Sequence, residues 1–191
     1  MSNSITRLAR VSPALMAMFA AALLAFQSTG AAFSATTENA GDAFTAGTVT
    51  LSDNDAGTAM FPMLNMEPLD PAVGCIEVTY SGTLDPLVKT YGAITAGDGL
   101  EDYLDLTIER GTGTCAAFGT STAVWTNGTD GDLGIFLGAA TNYATGVDTW
   151  QPTGGGPADV VPYRFTVTLQ DNVLAQAKSV TVTFTWEAQN L

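Results

Sequence analysis

Histidine is missing from all 191 residues of this chain. Its absence removes the HExxH zinc site, the Ser-His-Asp triad and the Cys-His dyad together. Bases are scarce as well: 6 Lys and Arg stand against 19 Asp and Glu, for a net charge of −13. That balance repels nucleic acid and anionic membrane surfaces, so neither is an expected partner. It suits cation binding, cationic partners or plain solubility. There are two cysteines, neither in a CxxC pair, and no S-x-x-K spacing puts a serine beside Lys89 or Lys178. The carboxylates Glu101, Asp102, Asp105 and Glu109 are neighbours in sequence, whereas glycoside hydrolysis needs two that converge across a cleft. No catalytic residue is assigned, and the chain is not expected to be an enzyme.

What is present is 46% hydrophobic content, 20 glycines and many Thr and Ala residues. This composition suits short strands joined by tight turns, and the length suits one packed domain. Strict alternation is clearest near the C-terminus. Val180, Val182, Phe184 and Trp186 fall on one face with Thr181, Thr183 and Thr185 opposite, and Tyr163, Phe165, Val167 and Leu169 alternate with Arg164, Thr166 and Thr168. Period 2 predicts a strand with one buried face in each case. Between them, Asp171 to Lys178 is expected to form a helical turn or a longer connection.

Further strands are expected at Ala43 to Leu51, Thr58 to Met63, Cys75 to Tyr80, Val88 to Thr95, Leu104 to Arg110, Ala116 to Trp125 and Leu133 to Leu137. Glu101 to Glu109 has room for a short helix. Gly-, Asn- and Asp-rich turns such as Gly97-Asp98-Gly99 and Asn127-Gly128 separate these segments. About eight short strands without a long amphipathic helix imply an all-β, antiparallel two-sheet sandwich. Of the tryptophans, Trp186 alternates with core residues, and Trp150, beside Gln151 and Pro152, is the candidate for exposure and sugar stacking.

The N-terminus reads as a targeting segment. Arg7 and Arg10 precede a mostly apolar run from Val11 to Phe26, and small and polar residues follow up to Ala31 and Ala32. That order describes a secretory signal peptide, residues 1–31, with an apolar helix and cleavage at Ala31–Ala32. An uncleaved anchor is the alternative, although the run is shorter than the ~20 apolar residues a spanning helix needs. Cleavage leaves residues 32–191 as one domain, 160 residues (191 − 31), with a charge of −15 once the two arginines are lost. In an exported chain Cys75 and Cys115 have one possible intramolecular disulfide, two buried thiols being the alternative.

Three blocks resemble the TasA/camelysin family of secreted matrix proteins. Ala31-Ala32-Phe33-Ser34, followed by Phe44-Thr45-Ala46-Gly47-Thr48-Val49-Thr50-Leu51, is similar to the family's cleavage site and first strand. Asn65-Met66-Glu67-Pro68-Leu69-Asp70 resembles its N-[hydrophobic]-x-P-G-D turn, with Leu69 in place of the usual Gly. Phe184-Thr185-Trp186-Glu187-Ala188-Gln189 resembles its closing F-x-[aromatic]-E-A-x-Q strand. The blocks frame the mature chain, while the middle, including both cysteines, follows no family motif.

The resemblance implies a jelly-roll-like sandwich that polymerises head to tail into extracellular or biofilm-matrix fibres. The N-terminal segment of one subunit enters the sheet of the next, which is β-augmentation. Here that arm is residues 32–42, with Ala32, Phe33, Ser34 and Ala35 at its head and Phe33 as its anchor; the competing reading is an unstructured terminus. The partner is then the chain itself, with other matrix components possible and no membrane insertion after cleavage.

No cofactor is expected, with one qualification. Asp53 and Asp55, in Asp53-Asn54-Asp55-Ala56-Gly57, are candidate calcium ligands, although the EF-hand spacing is not met and an Asx turn uses the same residue types. A monomeric sugar- or calcium-binding module is therefore the alternative function. A surface-peptidase role, attributed to camelysins, finds no histidine for a zinc mechanism. An exposed aromatic row favours the binding module, and a groove lacking one strand favours the fibre.

Overall fold

A computed structural model describes residues 46–56, 59–61 and 66–190. The signal segment, the Ala31–Ala32 cleavage site and the arm with Phe33 lie outside the described residues.

Among the described residues eight strands form two sheets, all paired antiparallel. They are β1 (Leu51–Asp53), β2 (Pro71–Tyr80), β3 (Pro86–Gly97), β4 (Leu104–Gly111), β5 (Ser121–Thr126), β6 (Val147–Trp150), β7 (Asp159–Leu169) and β8 (Val180–Asn190). The larger sheet has the order β1-β2-β7-β4-β5 and the smaller β6-β3-β8. Five of the seven connections pass from one sheet to the other, so most sequence neighbours face each other across the core. The expected antiparallel sandwich is what forms.

The core follows from the alternation. Ile76, Val78 and Tyr80 of β2, Leu106 and Ile108 of β4 and Tyr163 and Phe165 of β7 are buried on the inner face of the large sheet. Val88 and Thr90 of β3 and Trp150 of β6 are buried across from them. Phe165 meets Phe184 at 4.6 Å between ring centroids, so the two sheets interlock through aromatic rings.

Leu133 to Leu137 is helical, not a strand: α1 spans Leu133–Ala139. Its apolar residues Leu133, Phe136 and Leu137 recur at i, i+3 and i+4, and Asp132 caps it by accepting from the Ile135 amide at 2.9 Å. A five-residue apolar run carries no period that separates strand from helix. The helix can lie close to β3 because position 92 is glycine; a Cβ there would sit 2.7 Å from Leu137.

Other expected strands are shorter or displaced. Residues 46–50 run beside 81–83 without forming a regular ladder, because the Thr48 amide donates to the Thr83 hydroxyl instead of a backbone carbonyl. Of the segment expected at Thr58 to Met63, the described residues 59–61 form no strand. Met60 and Phe61 instead occupy the space over Gly74, an inward-facing position without a side chain. Ala116 to Thr120 is loop, and β5 begins at Ser121. Glu101–Tyr103 forms a 3-10 turn leading into β4, and Val173–Ala175 forms another between β7 and β8. β6 has no counterpart among the expected strands.

Candidate functional site

The four sheet edges differ in length. The large sheet ends in β1 and β5, of three and six residues, and the small one in β6 and β8, of four and eleven. Among the described residues β8 pairs on one side only, with β3 from Pro86↔Asn190 to Gly97↔Val180. Its sequence, rich in Val, Thr and aromatics, favours extended backbone. It contains no Pro or Lys, the residues with which exposed edges are commonly blunted. Among the described residues, nothing pairs with the backbone donors and acceptors on the other side of this strand.

The inner face of β8 has the same unfinished character. Val180, Val182, Phe184, Trp186 and Ala188 all pack on the core, yet each is only half-buried. Their counterparts Val88 and Thr90 on β3 are fully buried. Between β8 and β1 runs an open groove of about 220 Å³, with Leu51 and Val78 on one bank and Phe184 and Trp186 on the other. Trp186 leans on Tyr163 at 5.3 Å and Phe165 at 6.0 Å, and its indole Nε1 is buried without a hydrogen-bond partner. One carboxylate sits on the outer face of this edge: Glu187 accepts from Gln189 at 2.7 Å and from the Tyr91 hydroxyl at 2.8 Å. Those bonds, the Gln189 amide first, hold Glu187 below the usual carboxylate range.

Beneath Trp186 the sheets are tied by a polar link. Asp148 of β6 accepts from the Arg110 guanidinium at 2.9 Å and from the Tyr163 hydroxyl at 2.6 Å. Burial foremost, and the Asp148 charge next, push the Tyr163 hydroxyl well above its ordinary value. All three groups find their partners within this link, so it is structural support for the groove wall.

Cys75 and Cys115 form a disulfide. It fastens the 112–120 loop to β2 on the outer face of the large sheet, where the Cys115 amide donates to Glu77 Oε1 at 2.8 Å. Arg164 lies over the Phe118 ring at 4.2 Å and pairs with Glu109 at 2.6 Å, which lowers the Glu109 pKa. A disulfide fits a non-reducing compartment. Among the described residues no helix is long and apolar enough to cross a membrane.

The remaining sequence candidates separate. Asp53 and Asp55 share a turn in which the Asp55 amide donates to Asp53 Oδ1 at 3.4 Å, and Asn54 Oδ1 accepts from the Glu77 amide at 2.9 Å. Partial burial, then Asp55, raise the Asp53 pKa. Among the described residues no third Asp, Glu, His or Cys joins them as a metal-binding group. Asp105 accepts from Gln170 and Glu109 from Arg164, both outward along β4, so these carboxylates share no cleft. Trp150 is buried and pairs with Val88 of β3, and Trp186 is the tryptophan that lines the surface groove. No aromatic is among the exposed large hydrophobic side chains of the described residues, so a flat sugar-stacking row is not formed there.

No protein-family model matches the chain. No curated protein matches it either.

Proposed function

We propose that this is a secreted structural subunit that polymerises into extracellular matrix fibres, each subunit donating its N-terminal arm as a strand to the next. The single observation that carries the reading is β8: eleven residues of edge, unpaired on one side among the described residues, over an inner face left half-covered. An added strand satisfies the open backbone and covers Val182, Phe184 and Trp186 in one step. The resemblance of the chain's opening and closing blocks to TasA/camelysin proteins points the same way. So do the disulfide and the signal-like N-terminus. Because donor and acceptor are different surfaces, the contact is head-to-tail and propagates as an open filament.

The test compares the mature chain from Ala32 with a version lacking residues 32–42, by negative-stain electron microscopy and size-exclusion chromatography. Filaments from the first and folded monomers from the second are expected. Monomers from both under all conditions of pH and calcium would remove the fibre reading.

A further inference from the structure

The chain enters the sandwich at one identifiable end. Residues 46–50 hydrogen-bond to 81–83 and lead into β1, where Leu51 pairs with Tyr80. Tyr80↔Asp159 and Pro86↔Asn190 belong to the same end, which is joined by the Gly154 amide donating to Asp85 and the Gly155 amide to the Gly82 carbonyl. We call this the entry end. β8 finishes there, at Asn190, and starts at the opposite end, at Val180. At that far end Lys178 donates to the Asp98 carbonyl, and Gln170 donates to the Tyr103 carbonyl.

Chain length restricts how the arm reaches an acceptor. Residues 32–45 number fourteen (45 − 31), and extended they span ~46 Å at ~3.3 Å each. Covering the eleven residues of β8 uses ~36 Å of that. About 10 Å remains, so the mouth of the acceptor groove must lie almost against the entry end of the donor. Two arrangements satisfy this. If the neighbour presents its far end, the arm enters beside Val180 and runs antiparallel to β8, and every subunit repeats the step. If it presents its own entry end, the arm enters beside Asn190 and runs parallel to β8, as it also does when folding back on its own subunit. Those parallel arrangements are closed and cannot grow. Antiparallel pairing is also the more stable per residue, and it is the pattern of every ladder in this sandwich.

The far end carries a surface suited to such a neighbour. The 3-10 turn Val173–Ala175, just before β8, exposes Val173 at 85% and Leu174 at 63%. Ala175 is buried beneath them, and Asn172 accepts from the Leu174 amide at 3.0 Å, so the turn is anchored and its two aliphatic side chains point outward. Resting on the donor-strand reading, we propose that Val173 and Leu174 form the docking shelf for the body of a second copy, whose residues 46–50 abut them as its arm passes into the groove antiparallel to β8.

Two measurements on the mature chain test this. Ala35→Cys is combined with Gln189→Cys or with Thr181→Cys, the native disulfide staying in place, and assembled material is oxidised and run on non-reducing gels. The antiparallel arm gives a ladder of multimers with Gln189→Cys and none with Thr181→Cys. Cross-links between chains with Thr181→Cys and none with Gln189→Cys overturn the antiparallel arrangement while leaving strand donation standing, and cross-links within single chains only overturn donation to a neighbour as well. No cross-link in either variant also overturns the antiparallel arrangement. Filaments from the chain lacking 32–42 would instead overturn the donor reading itself. The second measurement is Val173→Asp with Leu174→Asp. Both positions are exposed, so the monomer's unfolding midpoint is unchanged, while elongation slows roughly tenfold or more, the scale of losing two buried aliphatic contacts. Unaltered elongation with intact arm cross-linking shows that the shelf is not a docking surface.

Discussion

The Tyr163 hydroxyl donates to Asp148 Oδ2 at 2.6 Å, joining the central strand of the large sheet to β6, one of the two edge strands of the small one. Arg110 reaches the same oxygen from β4 at 2.9 Å, and the Asp148 side chain is only 3% exposed. Each partner's desolvation is offset by the others, so the arrangement depends on all three. Removing one leaves a buried charge or hydroxyl without its counterpart, which is the costly way to break such a link.

Asp148→Ala is therefore expected to destabilise the fold by about 3–5 kcal/mol. Asp148 also holds a left-handed backbone, φ 73°, which alanine tolerates less well. Asp148→Asn keeps that tolerance and an oxygen for Tyr163, so its cost should be smaller. Urea unfolding of the three proteins checks both values. A loss below about 1 kcal/mol for the alanine variant would show that the link carries little weight.

The same link sets a pH limit. Burial and the neighbouring carboxylate raise the Tyr163 pKa above its unfolded value near 10. Below pH 10 the hydroxyl is neutral in both states and the folded protein keeps its full stability. As pH rises above 10 the unfolded chain ionises first, so stability falls until the folded pKa is passed. Tyr163→Phe removes one such proton, and its stability should decline less steeply there, by about 1.4 kcal/mol per pH unit. Equal slopes in alkaline denaturation curves would contradict this.

Leu69 stands where glycine is the better fit. Its φ is 66°, in the left-handed region, and it is 68% exposed, so its side chain gains little from packing. The Leu69 amide donates to the Leu169 carbonyl at 2.8 Å, which fixes the backbone in that conformation. Leu69→Gly relieves ~1–2 kcal/mol of strain and returns part of it through the freer unfolded chain. A net gain of about 0.5–1 kcal/mol is expected, read as a rise in melting temperature. A fall would mean that Leu69 makes a contact worth more than its strain.

Much of this architecture was legible where period 2 runs long. Tyr163 to Leu169 and Val180 to Trp186 are strands, and β8 continues past Trp186 to Asn190. Where runs are short the signal fails. Leu133 to Leu137 fits either period, and Asp132 as an N-cap was the cue for a helix. Val147–Trp150 offers too few alternations to register, and it owes its place to β3. The candidate site was half legible: the apolar face of β8 is plain in the sequence, but its openness is not. Trp150 and Trp186 both lie on edge strands of the small sheet, so which of them reaches the surface depends on long-range packing around each edge, which local pattern does not encode. The left-handed turn at Leu69 was readable only by likeness to a turn that carries glycine.

Charge should govern assembly. With the proposed signal peptide cleaved, the chain would carry −15, from 19 acids against the 4 bases left without Arg7 and Arg10. Stacking the entry end of one copy on the far end of the next sets Asp85 and Asp159 against Asp70, Asp98 and Asp171. Exposed like charges at such separations repel strongly only when unscreened, and the Debye length falls from ~30 Å at 0.01 M salt to ~10 Å at 0.1 M. Filament growth is therefore expected to be slow in neutral, low-salt buffer. It should accelerate with ~0.1 M sodium chloride, with millimolar calcium, or near pH 4, where carboxylates begin to protonate. Light scattering with parallel electron microscopy follows it, and sodium chloride separates screening from specific cation bridging, since calcium must outperform it at equal ionic strength to bridge. Equally fast growth at low ionic strength without divalent ions would show that the contact surfaces keep these acids apart.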